Sequence, residues 1–121
     1  MRKKIMVVDD DLDILLSLKS IFEYEGYDVE AFDNGKKFYD SLKREDIPDL
    51  IILDIMMPGM SGWMLSDRLR ENPMWRDIPV VFLTARTDEF ARETGVPLCA
   101  DYIEKPFDIE DLRERIENIL E

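Results

Sequence analysis

The sequence predicts an α/β domain in which one sheet of five parallel strands has helices on both of its faces. Four short apolar runs, at residues 5–8, 50–53, 79–83 and 101–104, are too short for helices and lack polar alternation. Such runs are typical of strands that are buried on both faces. Helical patterns separate them, so strand and helix alternate about five times, which favours a parallel sheet with right-handed crossovers.

The first helix and the second strand are predicted from their spacing. From residue 12 to residue 24 the apolar side chains recur at helical intervals, and Asp11 and Asp13 are expected in the first turn, where the helix dipole favours acids. Gly26 follows as a stop signal. The strand at residues 28–32 alternates more than the others, so we expect it at an edge of the sheet.

Three further helices follow the same periodicity. They are predicted around residues 35–43, at residues 62–71, where Pro73 ends the helix, and after Asp108, which is a suitable N-cap. The positions that we expect to face the core are Phe38, Leu42, Leu65, Leu69, Ile109, Leu112, Ile116 and Ile119.

Length and targeting signals limit the organisation of the chain. Its 121 residues fit one domain, 1–121, without a repeat or a linker. The basic start at residues 2–4 precedes only four apolar residues, too few for a signal peptide or a membrane span. The lone cysteine, Cys99, fits a reducing compartment, so we expect a soluble, cytoplasmic protein.

The charge balance argues against two classes of partner. Sixteen Lys and Arg against 28 Asp and Glu leave a net charge of −12. Such a domain repels phosphate backbones and membrane surfaces, so we expect no direct contact with nucleic acid or membrane. Because the chain has no histidine, it cannot use one as a base, a metal ligand or a phosphocarrier.

Reactive side chains stand at the ends of the predicted strands. Asp9 and Asp10 follow the first strand, Asp54 the third, Thr84 the fourth and Lys105 the fifth. Taken singly, each has an ordinary explanation as a helix cap, a turn residue or a solvated charge. Open parallel sheets bind ligands beyond the carboxyl ends of their strands, so we expect these five side chains to meet at that edge.

Three clustered carboxylates require compensating cations. Two unit charges about 4 Å apart interact by roughly 4 kcal/mol at an effective dielectric of 20. Lys105 supplies one positive charge, and the oxygen ligands indicate a hard divalent ion, Mg²⁺, for the remainder. A carboxylate beside Mg²⁺, a lysine and a hydroxyl is suited to accept a phosphoryl group, with Asp54 attacking in line.

Four motifs carry a family resemblance: Val7-Val8-Asp9-Asp10, Leu53-Asp54-Ile55-Met56-Met57-Pro58-Gly59-Met60-Ser61-Gly62, Leu83-Thr84-Ala85 and Tyr102-Ile103-Glu104-Lys105-Pro106-Phe107. In combination they make essentially the whole chain similar to the CheY-like receiver domains of two-component response regulators. The resemblance implies a flavodoxin-like, doubly wound sheet of strand order 2-1-3-4-5 with five helices. This strand order is taken from the family and not from the residues.

The resemblance also implies roles for the residues at the strand ends. Asp54 would be the phosphoacceptor, and Asp9, Asp10, Asp54 and the backbone carbonyl of Met56 would hold Mg²⁺. Lys105 would bind the phosphoryl group. The donor would be a phosphohistidine on a sensor histidine kinase or a phosphotransfer protein.

Further roles concern the conformational change. Thr84 would move to bond a phosphoryl oxygen, Tyr102 would swing inward, and Pro106, after a cis peptide bond, would shape the loop that aims Lys105. An output partner would bind the face formed by the fourth helix, the fifth strand and the fifth helix. The domain would catalyse its own phosphorylation and dephosphorylation while acting as a switch rather than a turnover enzyme.

The segment after the fourth strand departs from the family pattern. Its helix should be short, about residues 88–94, because Gly95 reads as a stop and Pro97 cannot lie within a helix without a kink. We interpret this as loop variation, with an altered output face as the alternative. Met56 and Arg86 stand where side chains in the family influence access of water to the acyl phosphate.

Three other classes of protein share part of this pattern. A phosphohydrolase of the haloacid dehalogenase type needs a second acid two residues after its nucleophile, where this chain has Met56. A flavodoxin-like nucleotide or flavin binder needs a phosphate-binding loop, and acids stand there instead. The remaining alternative is an unphosphorylated pseudo-receiver that acts as an interaction module. A free-standing regulator and a receiver cut from a longer protein both fit the sequence, and the start at Met1 favours the former.

Overall fold

The computed structural model describes residues 2–84 and 100–121. The five strands in these residues are β1 Lys4–Val8, β2 Asp28–Phe32, β3 Leu50–Asp54, β4 Val80–Thr84 and β5 Asp101–Glu104. They form one parallel sheet in the order β2-β1-β3-β4-β5. The predicted parallel sheet and the edge position of β2 are therefore confirmed. The prediction that the strand at residues 101–104 is buried on both faces is wrong, because β5 is the other edge of the sheet and only its Ile103 is buried.

Four helices lie in the described residues: α1 Leu12–Tyr24, α2 Gly35–Ser41, α3 Gly62–Glu71 and α4 Ile109–Leu120. The short helix predicted at about residues 88–94 falls outside the described ranges. The predictions for Gly95, Pro97, Arg86 and Cys99 fall there as well.

Helix α2 is shorter than its periodicity predicts, since it ends at Ser41 and not near Lys43. The Ser41 hydroxyl donates a 2.5 Å hydrogen bond to the carbonyl of Phe38. A serine hydroxyl that binds its own helix competes with the backbone ladder. Leu42 is then the C-cap, and its half-buried side chain packs against the core.

Acidic side chains begin the first and last helices. Asp11 is the N-cap of α1, where its carboxylate accepts hydrogen bonds from the amides of Asp13 and Ile14. Asp11 therefore precedes the helix, and its predicted place inside the first turn is wrong. Asp108 caps α4 as predicted and accepts from the amide of Asp111 at 3.1 Å.

Two apolar layers hold the sheet. Helices α1 and α4 pack on one face of the sheet, and α2 and α3 pack on the other. Ile109 was predicted to face the core but is exposed, because the buried stripe of α4 begins one turn later at Leu112. Trp75, which periodicity did not single out, is buried 6.3 Å from the ring of Phe38. None of the described helices is both long and apolar enough to cross a membrane.

Candidate functional site

Asp9 and Asp54 are brought together by the register of two central strands. Ile5 lies opposite Leu50 and Val8 opposite Leu53, so an acid ends both strands at the same level. Asp9 is completely buried, and Asp54 is only 3% exposed. Two carboxylates at this depth repel each other and lose hydration, so they require a positive partner.

Lys105 is that partner. Its Nζ lies 2.9 Å from Oδ2 of Asp9 and 3.3 Å from Oδ2 of Asp54. The backbone amide of Lys105 donates a 2.6 Å hydrogen bond to the carbonyl of Thr84, which ties the loop after β5 to the end of β4. The ammonium group is therefore held between the two buried acids by the fold of the loop as well as by charge.

Asp10 extends the acidic cluster toward solvent. One oxygen from each of Asp9, Asp10 and Asp54 lies within 4.8 Å of the other two, and Asp10 is exposed. Oδ2 of Asp9 is buried, and among the described residues its close polar partner is the Lys105 ammonium at 2.9 Å. Among the residues that the structure describes, these three carboxylates face one ammonium group, and such an excess of clustered carboxylate oxygens fits a hard divalent cation.

The pKa of Asp54 is raised to about 7. Burial is the largest cause, the negative charge of Asp9 adds to it, and the Lys105 ammonium partly opposes both. Burial lowers the pKa of Lys105, but Asp9 and Asp54 outweigh that effect and leave it raised. Lys105 thus stays charged, while added positive charge would favour the ionised, nucleophilic form of Asp54.

The loop after β3 fits closely around Asp54. The amide of Met56 donates to Oδ1 of Asp54 at 3.1 Å, while the Met56 side chain is 70% exposed. Gly59 has a φ of 80°, a conformation that favours glycine. Gly62 donates its amide to the carbonyl of Ile55, and a Cβ at Gly62 would lie 2.4 Å from the carbonyl oxygen of Asp54. Gly62 was predicted as the start of a helix and belongs to the motif that begins at Leu53, but nothing in the sequence predicted this contact with Asp54.

The remaining predicted residues stand on β4, on β5 and in the loop that follows β5. Thr84 is buried at the end of β4 and lies opposite Glu104. Tyr102 is half-buried, and its ring stacks on Phe82 with centroids 5.5 Å apart. The Lys105–Pro106 peptide bond is cis, as the resemblance implies.

Comparison with known proteins identifies the family. The model of the family described as "Response regulator receiver domain" matches residues 5–117. The chain belongs to this family. Receiver domains serve two-component systems, and phosphorylation and Mg²⁺ binding are typical of them.

Two curated relatives illustrate the similarity of this receiver domain to longer proteins. It is 39% identical over 121 residues to the phosphate regulon transcriptional regulatory protein PhoB of Rhizobium meliloti, covering 99% of this chain and 53% of the relative. It is 40% identical over 117 residues to the aerobic respiration control protein ArcA of Escherichia coli K12, covering 96% of this chain and 48% of the relative. The receiver domain thus spans about half the length of the curated relatives it matches.

Solved structures agree with the fold. The chemotaxis protein CheY4 of Vibrio cholerae superposes with a TM-score of 0.89 at 25% identity, covering 99% of this chain and all of that chain. A CheY-like receiver domain protein of Methanospirillum hungatei gives a TM-score of 0.90 at 28% identity, covering 99% and 94%. The whole described sheet therefore has the architecture of known receivers.

Proposed function

We propose that Asp54 is the phosphoacceptor of this receiver domain and that a phosphohistidine of a sensor histidine kinase or phosphotransfer protein is the donor. The observation that carries the proposal is the position of the Lys105 ammonium, 3.3 Å from Asp54 and 2.9 Å from Asp9. A nucleophilic carboxylate beside a fixed cation suits phosphoryl transfer, which depends mainly on positioning and charge stabilisation.

The chemical step uses one oxygen of Asp54. That oxygen forms a bond to phosphorus as the phosphorus–nitrogen bond of the donor breaks, and the electron pair of that bond returns to the imidazole nitrogen. Lys105 balances the negative charge on the phosphoryl oxygens. The amide of Met56, which donates to Oδ1 of Asp54, orients the carboxylate for attack.

We assign Mg²⁺ to the acidic cluster. Asp9, Asp10, Asp54 and the backbone carbonyl of Met56 would hold it, and the clustered oxygens of the three acids support this assignment. When bound, the ion would supply charge stabilisation to the transferring phosphoryl group. Hydrolysis of the acyl phosphate would use the same site, so the domain would catalyse both its phosphorylation and its dephosphorylation.

Phosphorylation would act by shifting a conformational equilibrium. Thr84 would bond a phosphoryl oxygen, Tyr102 would move inward, and Pro106 would shape the loop that carries Lys105. The change would alter binding of an output protein or domain at the face formed by the predicted fourth helix, β5 and α4. The net charge of −12 supports a protein rather than a nucleic acid as this partner. The proposal also takes the chain to be a single domain that works in the cytoplasm.

Intact-mass analysis after incubation with acetyl phosphate and Mg²⁺ tests the proposal. We expect one phosphoryl addition to the unmutated domain and none to Asp54→Asn. The matched control is Asp67→Asn, which removes an exposed acid of α3 and should be phosphorylated normally. Failure of the unmutated domain to gain mass would favour the pseudo-receiver, and gain of mass by Asp54→Asn would place the acceptor elsewhere.

A further inference from the structure

A cluster of three aromatic rings connects α3 to the last two strands. The ring of Trp63 lies 4.9 Å from that of Phe82 and 6.2 Å from that of Tyr102, and the rings of Phe82 and Tyr102 stack at 5.5 Å. Phe82 is completely buried, whereas Trp63 and Tyr102 are half-buried. Tyr102 therefore touches an aromatic partner on α3 as well as one on β4.

Phe82 and Tyr102 are neighbours by strand register. Tyr102 lies opposite Phe82 in the pairing of β4 with β5, so both side chains stand on the face of the sheet that α3 covers. Thr84 is two residues beyond Phe82 and shares its face, because side chains alternate along a strand. The ring cluster is thus continuous with the residue that the proposed function places at the phosphoryl group.

The start of α3 is fixed to the backbone of the phosphoacceptor. Gly62 donates its amide to the carbonyl of Ile55 at 2.9 Å, and its Cα lies against Asp54 so closely that no Cβ fits. Trp63 is the next residue. Its backbone is consequently held in place relative to Asp54, and its indole lies 6.2 Å from the ring of Tyr102.

We propose that Trp63 is a positioning residue for Tyr102 and that the energy of their ring contact sets how readily the domain accepts the phosphoryl group. The inference rests on the proposed function, because it assigns to Trp63 control over the movement of Tyr102. Aromatic pairs prefer tilted or offset geometries, so a displaced Tyr102 ring must change its contact with the indole. Trp63 therefore acts on Asp54 through Tyr102 and does not touch the reacting atoms.

A double-mutant cycle tests the coupling. The rate of phosphoryl uptake from acetyl phosphate is measured by intact mass for the unmutated domain, Trp63→Leu, Tyr102→Leu and the double variant. We expect Trp63→Leu to change the rate by about two- to tenfold, the range of one aromatic pair, and to have a much smaller effect when Tyr102 is already leucine. Trp63→Phe should restore most of the unmutated rate. Equal effects of Trp63→Leu in both backgrounds would overturn the proposal.

Fluorescence gives a second readout that a purely structural role would not move. The chain has two tryptophans, so Trp75→Phe leaves Trp63 as the one tryptophan, which is excited selectively at wavelengths that tyrosine does not absorb. Among the described residues the ring contact of Trp75 is with Phe38 and not with Trp63 or Tyr102, so Trp75→Phe is also the matched control and should leave the uptake rate unchanged. We expect beryllofluoride with Mg²⁺ to change the Trp63 emission, and Tyr102→Leu to abolish most of that change.

The outcomes separate the two proposals. Phosphoryl uptake by the unmutated domain, together with additive effects in the cycle, would reject the role of Trp63 and leave the proposed function intact. An emission change that is unaffected by Tyr102→Leu would also reject it. No uptake by the unmutated domain would reject both. If Trp63→Leu does not fold, as judged by urea unfolding, the cycle is run with Trp63→Met, which also removes the aromatic ring.

Discussion

Lys105 and Asp9 form the closest ion pair of the site, with 2.9 Å between Nζ and Oδ2, although they come from opposite ends of the chain. Asp9 is completely buried, and the Lys105 side chain is 18% exposed. Removing one member of such a pair leaves an uncompensated buried charge, so each holds the other in place. The pair keeps the ammonium group beside Asp54.

Replacing Lys105 should slow phosphoryl transfer to Asp54 but strengthen the binding of Mg²⁺. In Lys105→Ala we expect uptake from acetyl phosphate to slow by about 10²-fold or more, the usual cost of removing one charge-stabilising donor. Mg²⁺ should bind more tightly, because the ammonium no longer competes for the oxygens of Asp9 and Asp54. Uptake is followed by intact mass and Mg²⁺ affinity by calorimetry. Lys36→Ala, which removes an exposed lysine paired with Asp40, is the control, and similar uptake in both variants would contradict the prediction.

The raised pKa of Asp54 predicts a pH-dependent cost to stability. The ordinary value is 3.8 and the folded value is about 7, so the folded state holds a proton that the unfolded state releases in this window. Stability should therefore fall as pH rises from about 4 to about 7, because the native state binds more protons than the unfolded state. The variant Asp54→Asn has no carboxyl group to ionise at this position, so its stability should not fall for this reason.

We expect Asp54→Asn to exceed the unmutated domain in unfolding free energy by up to about 4 kcal/mol above pH 7, since each pKa unit corresponds to about 1.4 kcal/mol, with the difference shrinking toward about pH 4. Urea unfolding in EDTA across this range measures it. Asp67→Asn, on the exposed part of α3, should differ by less than about 0.5 kcal/mol at every pH. A difference for Asp54→Asn that does not vary with pH would argue against the buried, protonated carboxyl.

The contact between Gly62 and Asp54 predicts an unusually costly glycine substitution. In Gly62→Ala the new methyl group would meet the Asp54 carbonyl oxygen at 2.4 Å and Cα of Ile55 at 2.8 Å, both rigid backbone atoms. We expect a loss of about 2–4 kcal/mol in urea unfolding, the range of severe overpacking. In Gly59→Ala no atom is met within 4 Å, and only the φ of 80° opposes the side chain. That variant should lose about 1 kcal/mol, so equal losses would contradict the packing account.

The different burial of Asp9 and Asp10 predicts different consequences of neutralising them. In Asp10→Asn we expect Mg²⁺ affinity to fall by about tenfold or more, because a charged ligand is lost, while the unfolding free energy changes by less than about 0.5 kcal/mol, as for other surface substitutions. In Asp9→Asn the affinity should also fall, but stability should change too, because Asp9 binds Lys105 and accepts from the amide of Asp11 at 2.9 Å. Calorimetric titration with Mg²⁺ measures the affinity of each variant, and urea unfolding without and with Mg²⁺ measures its unfolding free energy. An unchanged Mg²⁺ affinity in Asp10→Asn would show that Asp10 is not a ligand of the ion.

Periodicity was enough for the sheet and most helix limits. The apolar runs at β1, β3 and β4 are strands buried on both faces, as predicted, and α1 and α3 have the limits that periodicity and their stop signals predict. It was less reliable where local hydrogen bonds compete with the helix, as at Ser41, which ends α2 early. It also could not show that Ile109 stands outside the buried stripe, since a helical pattern does not reveal where the neighbouring sheet stops.

The sequence alone therefore determined which chemical groups end the strands, because strand spacing and residue type are local properties of the chain. Tertiary structure decided how far those groups are from one another and how much water reaches them. The pKa of Asp54, the ion pairs of Lys105 and the ring contacts of Trp63 depend on burial and on distances between residues remote in sequence. Such quantities follow from packing and strand register, and no pattern within a single segment encodes them.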